Sequence, residues 1–293
     1  MASTLLSCGG GQKADPEYYA WTDRPAFVND HPLVLFDEAH NNIHTVSGTY
    51  KPFAELLTSD GYAVVSSDEA FSTEILARCS ILVIANPKGK EQKHDPAFTE
   101  NECDAVEQWV RNGGNLLLIA DHYPIGSAAK VLSKRFGVTM SEGFTNDSLH
   151  CDPSSTTQSP LDGKSQLLFT RENGLLPDHP ITRGRDSSER VSRVMTFTGQ
   201  SLAGPEGSEP FLTLAASAYD VVPDSIWQEK EMLFFTNTFT RFSDPISAAG
   251  RSQGIALSSG KGRVVVLGEA AMLTAQVAGD ERFGMQAPNI DNR

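Results

Sequence analysis

No apolar stretch in these 293 residues approaches the ~20 consecutive residues that span a bilayer, so the sequence offers no transmembrane helix. Positive charge is scarce: 24 Lys and Arg stand against 37 Asp and Glu, a formal net charge of −13, with no basic cluster to offset it. Such a chain repels phosphate backbones, which argues against nucleic-acid partners, and it disfavours anionic membranes for the same reason. Small-molecule, glycan or peptide ligands stay open. Cysteine is sparse as well. Cys8, Cys79, Cys103 and Cys151 form no CxxC pair and no Cys/His zinc-finger spacing. Cys79 and Cys103 read as small buried hydrophobes, and Cys151 sits in the polar segment NDSLHCDPSS. Gly260-Lys261-Gly262 precedes a strand and lacks the spacing of a phosphate-binding loop. Ser127 follows Gly126 without the second glycine of a nucleophile elbow.

What is present is a regular alternation of strand and helix patterns. Hydrophobic residues make up 39% and charged residues 21%, a globular composition. Residues 1–30 read as a tail and entry loop, and 31–293 as one α/β domain. The strands expected are LVLF (33–36), YAVVSS (62–67), SILVIANP (80–87) and NLLLIAD (115–121). Between them, residues 49–59 repeat Phe53, Leu56 and Leu57 at helical spacing, and 71–78 form a short helix capped by Ser72. Thr99 and Glu102 form a capping box ahead of the stripe Val106, Trp109 and Val110, and Asn112-Gly113-Gly114 ends that helix. Another helix covers about 125–136. Strands separated by helices of this length predict right-handed crossovers and a mostly parallel, flavodoxin-like three-layer sheet. From about 138 to 210 the pattern loosens into an irregular insertion containing the strand VSRVMTF. Further strands are expected at FLTLAAS (211–217) and EMLFFTN (231–237), then a hairpin turning at Ser259–Gly262.

Three of the expected strands end in chemistry-bearing residues. LVLFDEAHNNIH surfaces in Asp37, Glu38, His40, Asn41, Asn42 and His44; NLLLIADH ends in Asp121 and His122; RVVVLGEAAM ends in Glu269. Ligands of open α/β sheets bind at the carboxyl ends of the strands. Asp37, His40, Asp121, His122 and Glu269 are therefore the candidate catalytic residues, with Asn41, His44 and Gln200 as candidate ligand contacts. His40, Asp121 and His122 are the donor types that suit Zn²⁺ or Mn²⁺, and such an ion would activate water for hydrolysis. Without metal, a carboxylate–histidine pair serves as general acid and base. Glu38 points to the other side of the strand end and ranks lower. His150 with Asp152, and His94 with Asp95, lie in loops near this edge; a plain solvated role is the simpler expectation for both pairs. Singly, each site residue is also explained as a loop filler or helix cap; their convergence on one edge carries the functional reading.

Near the N-terminus, Leu5-Leu6-Ser7-Cys8 has the form of a bacterial lipobox with Cys8 as the lipidated residue, followed by a glycine-rich tether. Only seven residues precede Cys8 and none is basic, which is short of a complete signal. A lipid anchor at Cys8 places the protein in the bacterial envelope or periplasm; its absence places it in the cytoplasm.

The segment FTENECDAVEQWVRNGGNLLLIADH, preceded by a strand ending in Asn-Pro, resembles the class I glutamine amidotransferase-like superfamily. DEAHNNIHT, HPITRGR, TFTGQ and GKGRVVVLGEAAM are similar to an uncharacterised bacterial branch near the gliding-motility and intraflagellar-transport domains. The resemblance spans roughly residues 30–290 and implies the flavodoxin-like fold. It also implies a closing helix after the Asn292-Arg293 pair. True glutaminases place a cysteine where this chain has Ile119-Ala120-Asp121-His122-Tyr123-Pro124, so glutaminase chemistry is not expected here. A hydrolase-like site and a non-catalytic envelope-associated binding or interaction module are the two readings that remain.

Overall fold

The structure is a computed structural model that describes residues 3–4, 13–88, 96–153, 158–159, 163–231 and 235–292. Cys8, His94 and Asp95 lie outside the described residues. Among those described, the central sheet has nine strands: β1 Leu33–Asp37, β2 Ala63–Ser67, β3 Ile81–Ala85, β4 Asn115–Ile119, β5 Thr139–Met140, β6 Leu202–Ala203, β7 Glu209–Thr213, β8 Ser252–Ser259 and β9 Gly262–Leu267. The helices of the first half are α1 Lys51–Ser59, α2 Thr73–Leu76, α3 Glu100–Arg111 and α4 Ile125–Arg135. None of the described helices is long and apolar enough to cross a membrane.

The strand order is β2-β1-β3-β4-β9-β8-β6-β5, with β7 also paired to β8. The first five strands are parallel, and their order is the doubly wound flavodoxin type. The other pairings, β9–β8, β8–β6, β6–β5 and β8–β7, are antiparallel. The expectation of a mostly parallel sheet thus holds for one half only. Its cause is the tight turn between β8 and β9, where Gly260 sits at φ +61°, because so short a link joins only antiparallel neighbours.

Parallel strands sandwiched between layers must be apolar on both faces, which is why they read as continuous hydrophobic runs. Leu82, Ile84, Leu116, Leu118, Val264 and Val266 pack on one face against Val106 and Val110 of α3 and Leu132 of α4. Val34, Phe36, Val83, Ile119 and Leu267 pack on the other with Tyr50, Phe53, Phe169 and Phe211. The capping box starts α3 as expected: Thr99 Oγ1 accepts from Glu102 N, and the Glu102 side chain accepts from Thr99 N.

Several elements differ from expectation. The helix expected at 71–78 contracts to Thr73–Leu76, with Ser72 Oγ accepting from Ile75 N. Of the strand expected at 231–237, Glu231 ends one strand of an antiparallel hairpin, Pro223–Glu231, and Phe235 opens the other, Phe235–Phe242, while residues 232–234 lie outside the described residues. The stretch 138–210 holds short strands, including Phe144–Asn146, which joins Tyr219–Val221 and Ile246–Ser247 in a small antiparallel sheet.

Candidate functional site at the strand ends

The strand-end residues separate into two groups. β1, β3 and β4 are consecutive neighbours, so Asp37 and Asp121 are separated by two strand spacings, about 10 Å. The first group surrounds His40. Its Nδ1 lies 2.7 Å from Asp37 Oδ1 and its Nε2 lies 2.9 Å from Glu102 Oε1. Both partners are acceptors, so both ring nitrogens carry hydrogen and the ring bridges two carboxylates as an imidazolium. Phe71 and Phe98 pack on it with ring centroids 4.7 Å away. Burial opposes the charge, but the hydrogen bond and charge of Asp37, then those of Glu102, outweigh it and raise the His40 pKa. Burial likewise opposes the Glu102 carboxylate, but the Thr99 backbone and hydroxyl, then His40, hold its pKa down. Asp37 also accepts from Ala39 N and from Asn42 Nδ2. This group is a clamp between the end of β1 and the start of α3. Sequence reading treated Glu102 only as a capping residue and missed that its second oxygen reaches His40.

The second group is a carboxyl pair, Asp121 after β4 and Glu269 after β9. Glu269 is fully buried. Its carboxylate accepts from Ala271 N at 2.7 Å, from Met272 N at 2.9 Å, and from the Phe197 backbone. Those donors favour the anion, yet burial and then the neighbouring Asp121 charge drive the Glu269 pKa well above the ordinary range. Burial also raises the Asp121 pKa, against the lowering effect of His122, Asn86 and the Ala270 backbone. The Asp121 charge thus opposes ionisation of Glu269. Tyr50, wholly buried, donates from its hydroxyl to Ala270 O at 2.8 Å, and burial plus both carboxyls push its pKa up. His44 stacks on Tyr50 at 4.6 Å and bonds Thr49 Oγ1 through Nδ1; burial lowers its pKa to about 4, so it is neutral.

His122 donates from Nδ1 to Tyr123 O at 2.7 Å and stacks on Phe144. That bond leaves Nε2 as the ring nitrogen available to a ligand. Asn41 is exposed at φ +52°. Gln200, expected to contact ligand, instead ties backbone together: Nε2 donates to Ala120 O and Asp121 O, Oε1 accepts from Glu142 N, and its own N–H donates to Gly268 O. The Glu38 carboxylate accepts from Val46 N.

The metal set expected from sequence is not assembled. His40 has both ring nitrogens bound to carboxylates, and Asp121 and His122 belong to the other group. Among the described residues no three His, Cys, Asp or Glu side chains converge on a point that suits an ion. Burial raises the thiols of Cys79 to about 11 and Cys103 to about 12, so neither is an activated nucleophile. A cavity of about 850 Å³ lies elsewhere, over the sheet face between Tyr62, Leu117, Val265 and Phe211. Its lining is chiefly apolar.

No family model matches this chain, and no curated protein matches it. Among solved structures it is similar to the N-terminal domain of mmIFT52, with a TM-score of 0.57 and 13% identity over 89% of this chain and 92% of that one. It also aligns with a ThuA-like protein from Bacteroides uniformis at TM-score 0.40 and 14% identity, covering 95% and 91% of the two chains. A cytoplasmic protein from Salmonella typhimurium LT2, STM1381, aligns at TM-score 0.42 and 12% identity over 81% and 87%. The likeness to the mmIFT52 domain shows a shared fold, and at that identity it shows nothing about function.

Proposed function

We propose that Asp121 and Glu269 form an acid–base site that processes a small polar substrate, with hydrolysis as the reaction class. What supports this reading is the placement of two carboxyls just after adjacent parallel strands, β4 and β9, one partly accessible and one fully buried. Paired carboxyls whose environments shift their proton affinity are the means by which acid and base roles are set near neutral pH. Asp121, the accessible member, gives or takes the proton at the substrate. Glu269 is held by backbone donors and acts on Asp121 through charge. His122, next in the chain, offers Nε2 as the complementary group. Among the described residues no cluster of His, Cys, Asp and Glu suits an ion, and the proposed step is written without one. Burial raises the thiols of Cys79, Cys103 and Cys151, and water is the nucleophile in this reading.

A hydrolase substrate panel with wild type and Asp121→Asn tests this. Loss of an acid–base group costs about 10²–10⁴-fold in rate. Turnover that Asp121→Asn leaves intact refutes the assignment. The backbone bonds on Glu269 also suit a purely structural carboxylate, and with it a second reading, a non-catalytic ligand-binding module. Ligand-dependent stabilisation without turnover would establish that reading instead.

A further inference from the structure

A parallel sheet is normally covered on both faces. Here one face of β4 and β9 is sealed: Leu116 is 2% exposed, and Leu118, Val264 and Val266 are fully buried beside α3 and α4. The alternate residues on the opposite face, Leu117 and Val265, stay half-buried, as do Ile81 on β3 and Ala256 on β8. The cause lies in the layering. α2, α3 and α4 pack on the sealed face, while α1 packs on the other, beside β2. Over β4 and β9 the open face carries the cavity of about 850 Å³.

That volume falls within the range of about 300–1,000 Å³ typical of small-molecule sites, which are chiefly apolar with a few placed polar groups. Tyr62 walls the cavity on the side of β2, Phe211 on the side of β7, and Met272 beyond the end of β9. From Arg263 to Leu267 its floor along β9 runs about 13 Å, room for an extended hydrocarbon chain. At the N-terminal strand ends it is lined by Ser80, Asn115 and Arg263. Arg263 Nε donates to Asn115 Oδ1 at 3.1 Å, and among the described residues the guanidinium is in no ion pair. The two carboxylates of the lining are engaged elsewhere. Glu209 Oε2 lies 3.5 Å from His179 Nε2, and Asp291 accepts from the backbone of Ser192 and Arg193.

We propose that this cavity binds an unbranched fatty acid of medium chain length, its tail along Leu117, Val265 and Leu267 and its carboxylate on the Arg263 guanidinium. One guanidinium matches a monoanion and presents the fork that a carboxylate takes. A phosphate, with about two charges, would meet a single cation in a chain of net charge −13. The site lies at the opposite strand edge from Asp121 and Glu269, so it stands or falls apart from the acid–base reading.

Isothermal titration calorimetry of the full chain with octanoate, decanoate, dodecanoate and dodecanol, each below its micelle concentration, tests this. One molecule binds per chain, and affinity for the acids rises about fourfold per added methylene, as burial of each implies. Dodecanoate binds wild type about fivefold more tightly than dodecanol does, the worth of an exposed ion pair. Arg263→Gln, at an exposed position, erases that difference and leaves dodecanol unchanged. Ala256→Leu, which fills the floor, weakens the acid and the alcohol alike. Absence of binding to wild type, equal affinity for dodecanoate and dodecanol, or a preference for the acid that survives Arg263→Gln overturns the proposal. Self-association of the chain that dodecanoate fails to displace, read by sedimentation, also overturns it, since a second copy would then cover this face.

Discussion

Replacing His40 with alanine tests the clamp between β1 and α3. The substitution removes two charge-assisted hydrogen bonds and leaves Asp37, 2% exposed, and Glu102, 9% exposed, without their shared cation. Removing one partner from a buried ionic arrangement costs about 3–5 kcal/mol, since the remaining charge stays desolvated. At roughly 2.1 cal/mol/K per residue, 293 residues give an unfolding entropy of about 0.6 kcal/mol/K. A loss of about 4 kcal/mol therefore lowers Tm by about 6–7 °C. The effect also has a pH signature. The His40 pKa is raised by folding, so its contribution is complete below about 6.5, the unfolded value, and fades as pH rises through the folded value. The Glu102 pKa is lowered by folding, so its contribution is complete above about 4.5 and fades as pH falls. The gap between wild type and His40→Ala is thus widest between about pH 5 and 6 and narrows in alkali. Differential scanning calorimetry across pH 5–9 measures it. A Tm difference below about 2 °C at pH 5.5, or one that does not narrow with rising pH, refutes the bridging imidazolium.

Other outcomes follow from the same contacts. Thr99→Ala removes the capping hydroxyl of α3 and the donor to Glu102 Oε2, and should cost about 1–2 kcal/mol in urea unfolding. Gly126→Ala, helpful in most helices, should instead cost about 1–3 kcal/mol, because a β-carbon there overlaps the Gln200 amide; an unchanged urea midpoint would show that the strut moves freely. Leu132→Ala, at a fully buried position of α4, should cost about 2–5 kcal/mol by the same measurement. Added Zn²⁺ or Mn²⁺ should leave Tm unchanged, since His40 has no free ring nitrogen; metal-dependent stabilisation lost in His40→Ala would overturn that.

The parallel half of the sheet was readable because its strands are apolar on both faces and its helices carry local signals. Thr99 and Glu102 predicted the start of α3 from four adjacent residues, and the described cap agrees. The antiparallel half was harder. β5 and β6 are two residues long, too short to show any period, and the pairings of Leu202 with Met140 and with Ser252 join residues fifty or more apart. The strand-end residues were legible as a set, but their division was not. Whether His40 faces Asp121 or Glu102 depends on where α3 begins in space, and no local pattern encodes that. Asn86 was invisible for a related reason. An Asn-Pro after a strand reads as a terminator, and only the neighbouring β4 brings Asp121 N within 2.9 Å of the Asn86 Oδ1.

The central claim is that Asp121 and Glu269 titrate as a pair. Carboxyl-detected NMR on selectively labelled protein measures it directly by following Glu269 in wild type and in Asp121→Asn. The account predicts that Glu269 titrates well above the ordinary glutamate range in wild type and falls when the Asp121 charge is removed. A Glu269 that titrates in the ordinary range, or one indifferent to Asp121→Asn, would contradict it.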